Sequence, residues 1–203
     1  MTVQPFSDPE LYLLNKWEDA MLLENSMNAV RDKYEQILAT VLDRVEQQHR
    51  ELDCRTMHLS YKEDPSVSIS KKAWSSMYPN WPSGFWIGCI GLNNLASEDE
   101  NEPYASVYFN PSKSAVFDSQ EIVRRLRDFA ETILTREQMS RLRDDANKGD
   151  ASIYYLLPEP RRKLLEMLLN NKSAEYIDCI EDHLKTLARF IPVMDEIALS
   201  GKR

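Results

Sequence analysis

Two Cys-x-x-x-His pairs have the residue types and spacing of metal ligands: Cys54 with His58, and Cys179 with His183. Two thiolates and two imidazoles can form a tetrahedral zinc site. Residues four apart share one face of a helix, so Cys179 and His183 could bind the same ion. Cys54 and His58 fall where a helix passes into a strand, which would separate their side chains by about 13 Å. Because structural zinc sites favour closer Cys-x-x-Cys spacing, we predict no metal and no cofactor, and whether the four residues converge stays open.

Motifs for nucleophilic or phosphate chemistry are absent from the sequence. It contains no Gly-x-Ser-x-Gly nucleophile elbow, no phosphate-binding glycine loop and no His-Glu-x-x-His helix. Five glycines in 203 residues leave little material for a cofactor loop. We therefore expect a protein without catalytic activity, although an active site assembled from scattered residues would escape this reasoning.

Carboxylate and lysine residues in the N-terminal half have an order that is found in some nucleases. Glu24 falls on a predicted helix, Asp64 precedes a predicted strand, and Ser70-Lys71-Lys72 ends that strand. This layout resembles the PD-(D/E)XK nuclease family, in which a strand carboxylate two residues before the lysine binds the metal. Ser70 occupies that position here, so the resemblance, which spans residues 24–72, implies an inactive relative.

Basic side chains that could bind phosphate recur in the C-terminal half. They are Arg124, Arg125, Arg127, Arg136, Arg141, Arg143, Arg161, Arg162 and Lys163. Acidic residues are interleaved with them, which is typical of a solvated helix with internal ion pairs. The net charge of −8 also repels a phosphate backbone. We do not expect a nucleic-acid partner, but nucleic-acid binding by a degenerate nuclease-like protein is kept as the alternative function.

Three of the four tryptophans lie within residues 74–86. Trp74, Tyr78 and Trp81 are predicted on a loop between two strands, because turn-forming residues separate them. Aromatic side chains on loops commonly contact partner proteins, so these three are predicted partner-binding residues. The alternative is that they fold back and cap the sheet against the long helix. Trp86, at the head of an apolar run, is predicted to lie in the core.

The N-terminal part is predicted to form one long helix, since no proline or glycine occurs between Pro9 and Pro65. Apolar residues recur there at alternating intervals of three and four, as at the a and d positions of a coiled coil. This seam consists of Ala20, Leu23, Met27, Val30, Tyr34, Ile37 and Val41. A helix to about residue 52 would be roughly 60 Å long. We expect either a break near Asn25 and Ser26 or cover from a second copy, a partner or the C-terminal helices.

The period of the apolar pattern then changes to that of strands. Residues 56–63, 66–74, 85–92 and 104–109 predict a four-stranded antiparallel β-meander. The remaining residues predict helices and one short extended segment, 152–157. The fold class is α+β, with a single domain over residues 1–203. It comprises a long helix to residue 52, a sheet over 53–117 and a helical half over 118–203.

Composition and termini narrow the class of protein. The hydrophobic content of 42% and charged content of 29% are those of an ordinary globular protein. No apolar run approaches the roughly 20 residues of a membrane-spanning helix. The N-terminus lacks the features of a secretory signal, and three widely spaced cysteines argue against a disulfide framework, so we expect a cytoplasmic protein.

These patterns together predict a non-catalytic adaptor or regulatory protein that binds another protein through the heptad helix and the aromatic loop. The identity of the partner is open. A homodimer is slightly favoured over pairing of the seam within one chain. The predicted dimer contacts are Leu23, Met27, Val30, Tyr34, Ile37 and Val41.

Overall fold

A computed structural model describes residues 7–59, 64–71, 74–78, 81–96, 102–110, 118–146, 151–170 and 172–200. These residues form helices and one antiparallel sheet. The elements are α1 (Asp8–Asn15), α2 (Trp17–Gln48), β1 (Asp53–Leu59), β2 (Asp64–Ser70), β3 (Ser75–Tyr78), β4 (Trp81–Cys89), α3 (Leu92–Ala96), β5 (Tyr104–Asn110), α4 (Ser119–Ile133), α5 (Arg136–Ser140), β6 (Leu142–Ala146), β7 (Ala151–Leu156), α6 (Arg161–Leu169), α7 (Ser173–Ala188) and α8 (Ile191–Ser200).

The long N-terminal helix is present but is broken at a different place from the one expected. It begins where predicted, with the Ser7 backbone N–H donating to the Glu10 carboxylate at 2.6 Å. Lys16 leaves helical geometry with φ −119° and ψ 27°, and this separates α1 from α2. Of the two alternatives, a break near Asn25 and Ser26 does not occur, since α2 is continuous there. The Ser26 hydroxyl donates to the Leu22 carbonyl of the preceding turn at 2.8 Å, so it is satisfied within the helix.

The sheet is antiparallel, as predicted, but it has more than four strands. Along its length the order is β1-β2-β4-β5-β7-β6, and the short β3 pairs with β4. The predicted meander corresponds to β1, β2, β4 and β5, while β7 and β6 extend the sheet beyond β5. The short strand or extended segment predicted at 152–157 corresponds to β7, so the error is that the helical half predicted over 118–203 contributes two strands, β6 and β7, to the sheet.

The missed strand β6 shows why the prediction failed. The residues after Thr135 were predicted to be helical, but α5 ends at Ser140. Residues Leu142–Ala146 instead pair with β7. The three consecutive charged residues of β6, Arg143, Asp144 and Asp145, carry little strand signal by themselves, and the neighbouring strand supplies the backbone partners that fix their conformation.

One face of the sheet forms the core. Ile87, Val107 and Ile153 lie opposite one another on three neighbouring strands, and each is at most 1% exposed. Helices α2, α4, α7 and α8 contact strands of this sheet and supply the other apolar residues of the same buried cluster. The sheet and these helices therefore share one continuous hydrophobic core.

The opposite face carries aromatic side chains. Trp86 and Tyr108 are register partners, and their rings stack with centroids 4.5 Å apart. The Trp86 ring also lies over Gly88, where an added Cβ would be 1.9 Å from a ring carbon. Trp86 is buried as predicted, at 5% exposure, but it lies on the face away from the main apolar cluster.

Helix α7 places a histidine inside the core. His183 is 3% exposed, and its ring stacks on Tyr155 with centroids 4.6 Å apart. Within the described part of the chain, neither ring nitrogen makes a hydrogen bond of normal geometry. Burial lowers the pKa of His183 to about 3, and the nearby Arg141 guanidinium acts in the same direction. The imidazole is therefore neutral in the folded protein at neutral pH.

His183 should make the stability of the fold depend on pH. The unfolded chain binds a proton at this residue near pH 6.5 and the folded chain only near pH 3, so stability falls as the pH drops below 6.5. Between pH 7 and pH 5 the expected loss from this group is about 2 kcal/mol. His183→Phe keeps a ring that can stack on Tyr155 but removes the titration. Urea unfolding of both proteins at the two pH values measures the difference, and equal pH dependence would contradict it.

Candidate functional site

The heptad seam divides into a covered part and an uncovered part. Tyr34 and Val41 are at most 2% exposed and Ile37 is partly buried against the core. Leu23 is 62% exposed and Val30 is 54% exposed, although they lie on the same stripe of the same helix. We call residues 8–30, which comprise α1 and the first part of α2, the arm, and residues 34–48 the stem.

A buried pair of tyrosines fixes the N-terminal end of the stem. The Tyr34 hydroxyl donates to the Ile90 carbonyl at 3.0 Å and is 2.8 Å from the Tyr176 hydroxyl on α7. Since the single Tyr34 proton is used for Ile90, Tyr176 donates to Tyr34. Burial raises the pKa of both hydroxyl groups, so both keep their protons. Ile90 has φ 62°, an unfavourable value for a β-branched residue.

Charged and polar side chains fix the C-terminal end of the stem to α7. The Glu181 carboxylate accepts from Arg44 at 3.0 Å and from Gln48 at 3.2 Å, and Lys185 lies 2.7 Å from it. These donors lower the pKa of Glu181, with Lys185 contributing most. Stem and α7 are thus joined by polar contacts at both ends and by apolar packing between them.

The arm concentrates the exposed apolar surface of the protein. Eleven large apolar side chains in the described residues are exposed, and nine of them lie on the arm. They are Tyr12, Leu13, Leu14, Trp17, Met21, Leu22, Leu23, Met27 and Val30. Scattered apolar residues on a surface are normal, so this concentration on one segment is the feature that needs an explanation.

A groove lies at the base of the arm. It runs beside residues 30–40 of α2, has a volume of about 460 Å³, and has Val30, Ile37, Leu92, Leu168 and Ile177 among its lining residues. Leu169, which is 79% exposed, also lines it. The groove therefore continues the apolar surface of the arm onto the body of the protein.

The charge of the arm differs along its length. Residues 8–24 contain five acidic side chains and one basic side chain, Lys16. The base carries Lys33, which is exposed and lines the groove. An acidic tip and a basic side chain at the groove can steer and orient a charged partner.

Part of this surface was not predicted from the sequence. The α1 residues Tyr12, Leu13 and Leu14 precede the heptad seam, and the groove residues Leu168 and Leu169 lie on α6. Apolar clusters in both segments were visible as L11-Y-L-L14 and L164-L-E-M-L-L169. A cluster by itself does not distinguish a buried helix face from an exposed one, and this is why the signal was insufficient.

The predicted aromatic residues lie in or next to a hairpin and not on an open loop. Trp74 is 5% exposed, and its indole N–H donates to the Asp195 carboxylate of α8 at 2.6 Å. Trp74 thus packs back on the fold, but its hydrogen bond is with α8, whereas the alternative named the long helix. Tyr78 and Trp81 are register partners in the β3–β4 hairpin, and their side chains lie outside the described residues.

The four candidate metal ligands lie in different surroundings: Cys54, His58, Cys179 and His183. His58 lies 3.2 Å from Glu35, and His183 is stacked on Tyr155. Burial raises the pKa of the Cys54 thiol to about 12 and also raises that of Cys179, which disfavours the thiolate that binds metals. Among the described residues, no three His, Cys, Asp or Glu side chains are placed to hold a metal ion.

The residues that resemble the nuclease layout have different surroundings and make different contacts. Glu24 is exposed on the arm, while Asp64 is buried and accepts from the Asn93 backbone at 3.1 Å. Lys71 lies 2.8 Å from Asp195. Ser70 remains at the position of the metal-binding carboxylate, so nothing in these contacts forms a nuclease site.

Arginines of α4 form ion pairs with neighbouring carboxylates, as the mixed-sign pattern indicated. Arg124 contacts Glu121 and Asp128, and Arg127 contacts Asp144. Arg125 reaches Glu196 on α8 at 2.6 Å. Arg125 and Arg127 therefore join α4 to α8 and β6, while the ion pairs of Arg124 stay within α4.

The two parts of the seam should respond differently to one substitution. Val41→Ala removes two buried methyl groups and is expected to cost about 2 kcal/mol of folding stability. Val30→Ala, on the same stripe of α2, is expected to change stability by less than about 0.5 kcal/mol. Chemical unfolding at low protein concentration measures both. Equal losses would show that Val30 is covered within one chain.

Comparisons with known proteins found no relative of this chain. The chain matches no family model, no curated protein and no solved structure. No helix in the described part of the chain is both long and apolar enough to span a membrane. The function proposed for this protein therefore rests on the geometry of the arm and the groove.

Proposed function

We propose that this chain is a non-catalytic adaptor or regulatory protein that binds another protein chain along the arm and the groove at its base. The observation that carries the proposal is the concentration of exposed large apolar side chains on the arm. A cytoplasmic location is part of the same proposal, and it is supported by the three widely spaced cysteines, which do not suggest a disulfide framework.

The form of the surface favours a helical binding partner. An apolar stripe on a helix is commonly covered by a second helix with a matching stripe, through i, i+3, i+4 and i+7 contacts. Leu23, Met27 and Val30 have this spacing. A partner with basic residues beside its apolar stripe would complement the acidic tip of the arm.

The connection of the arm to the core supports this role. Helix α2 is continuous from the arm into the stem, and the stem is held by Tyr34 and by Arg44. The arm is therefore presented in a helical conformation before a partner arrives. Preorganisation of this kind reduces the conformational entropy that binding would otherwise remove.

Capture from extracts of the source cells tests the proposal. A tagged full-length chain is compared with its Leu23→Glu/Met27→Glu variant, and the captured proteins are quantified by mass spectrometry. We expect arm-dependent proteins to fall tenfold or more, because interface residues of this kind can each contribute about 2 kcal/mol. Measured at a protein concentration low enough to keep the chain monomeric, the melting temperature should stay within about 1 °C, since both residues are exposed within one chain.

A matched control separates the apolar stripe from added charge. Asn28→Glu places the same carboxylate on the arm at an exposed position outside the seam. This variant should capture the same proteins as the unchanged chain. If all three proteins capture the same set in the same amounts, the arm is not a protein-binding surface and the proposal is wrong.

A further inference from the structure

We infer that the chain which covers the arm is a second copy of this protein, arranged antiparallel so that the tip of each arm lies in the groove of the other copy. The inference rests on the proposed function, because it names the partner of the same surface. Charge, register and area each favour this arrangement.

The charge distribution along the arm selects the antiparallel orientation. In the heptad, Asp19 and Lys33 occupy g positions and Glu24 occupies an e position. A parallel pair would bring Asp19 beside Glu24 of the second copy, and like charges at such positions are unfavourable. An antiparallel pair brings g positions together and e positions together, so Asp19 of each copy lies beside Lys33 of the other, while the two Glu24 side chains meet near the twofold axis. This gives two contacts between opposite charges and one between like charges, whereas the parallel pair has two like-charge contacts between Asp19 and Glu24.

One register aligns the a and d residues of the two arms and also brings Asp19 of each copy beside Lys33 of the other. In antiparallel pairs, a residues pack against d residues, so Leu23 lies against Met27 of the second copy and Ala20 lies against Val30. The twofold axis then passes close to residue 25. This is the register in which Asp19 and Lys33 become neighbours, whereas a shift by one heptad separates them.

The same register places the tip of the arm at the groove. Residues 10–20 of one copy run beside residues 30–40 of the other, which is the part of α2 that lines the groove. Leu13 falls opposite Ile37, at the centre of that segment. Trp17, which is exposed and occupies an e position on the next turn, can enter the groove between α2 and α6.

The area is within the range of specific dimers. Six of the large apolar side chains of the arm lie at a, d, e or g positions, and at about half exposure they amount to roughly 600 Å² of surface per copy: Tyr12, Leu13, Trp17, Leu23, Met27 and Val30. Two copies would bury about 1,200 Å² in total, the lower end of the range for specific interfaces. The interface would be isologous, with each patch used once in each copy, so it closes at two chains and leaves no further arm exposed.

Charge reversal tests the pairing without touching an apolar contact. Asp19→Lys and Lys33→Asp each place like charges together in an antiparallel dimer, and each is expected to weaken dimerisation about fivefold at low salt. A mixture of the two variants restores opposite charges at both sites. Sedimentation equilibrium should therefore show that the mixture dimerises more tightly than either variant alone. In a parallel dimer, Asp19→Lys would instead strengthen association, and that result would overturn the inference.

Disulfide trapping tests the register. Ser26 is a g position close to the twofold axis, so Ser26→Cys should link two copies when oxidised in air. Leu13→Cys should not, because the two copies of residue 13 would lie roughly 36 Å apart. Asn28→Cys, which faces outward, is the control for random collision. The tryptic peptides around residues 13 and 26 contain no native cysteine, so mass spectrometry identifies each link. Linking of Leu13→Cys in preference to Ser26→Cys would overturn the antiparallel register.

A measurement of the oligomeric state distinguishes failure of this inference from failure of the proposed function. A chain that stays monomeric up to about 100 μM, well above the dissociation constants of most specific complexes, overturns the inference. The proposed function then still stands if capture of a different protein depends on Leu23 and Met27. A dimer that is unchanged in the Leu23→Glu/Met27→Glu variant overturns the inference as well, because its interface would lie elsewhere.

Discussion

The hydroxyl contacts of Tyr34 are the interaction on which the arrangement of this protein depends. They join the long helix to the sheet at Ile90 and to the last long helix at Tyr176, three segments far apart in the sequence. An unpaired buried hydroxyl would cost about 1–3 kcal/mol, so the three groups must meet in a single arrangement. The contacts of Tyr34 therefore determine where along α2 the side chains of the seam become buried.

The exposed arm follows from the unequal lengths of two helices. Helix α2 has 32 residues and α7 has 16, which corresponds to about 48 Å and 24 Å. With Glu181 of α7 fixed to the C-terminal end of α2 and Tyr176 fixed to its middle, α7 has no length left to cover the residues before Tyr34. The apolar stripe nevertheless continues through Leu23 and beyond α2 into α1.

The sequence predicts the parts of this fold that have a local signal. The helix start at Ser7, the seam of α2 and the central strands each follow from periodicity or capping residues. Strand β6 does not, because its conformation depends on pairing with β7, and the break at Lys16 has no proline or glycine that would mark it in the sequence. The seam residues are identified by their spacing. Which of them are covered could not be derived, since Val30 and Val41 have the same residue type and the same heptad pattern, and only the reach of α7 distinguishes them.

The continuity of arm and stem also determines what kind of contact the arm can make. A free helix of the length of the arm would be marginally stable in water, because nucleation of the first turn is costly. Growth of the helix from a stem fixed by Tyr34 and Arg44 removes that nucleation step. The arm then presents a formed apolar stripe with an acidic tip, and a second helix can cover it without folding it first. The groove beside Val30 and Ile37 extends this surface onto the rigid body of the protein, so a partner helix is aligned along α2 by the core itself.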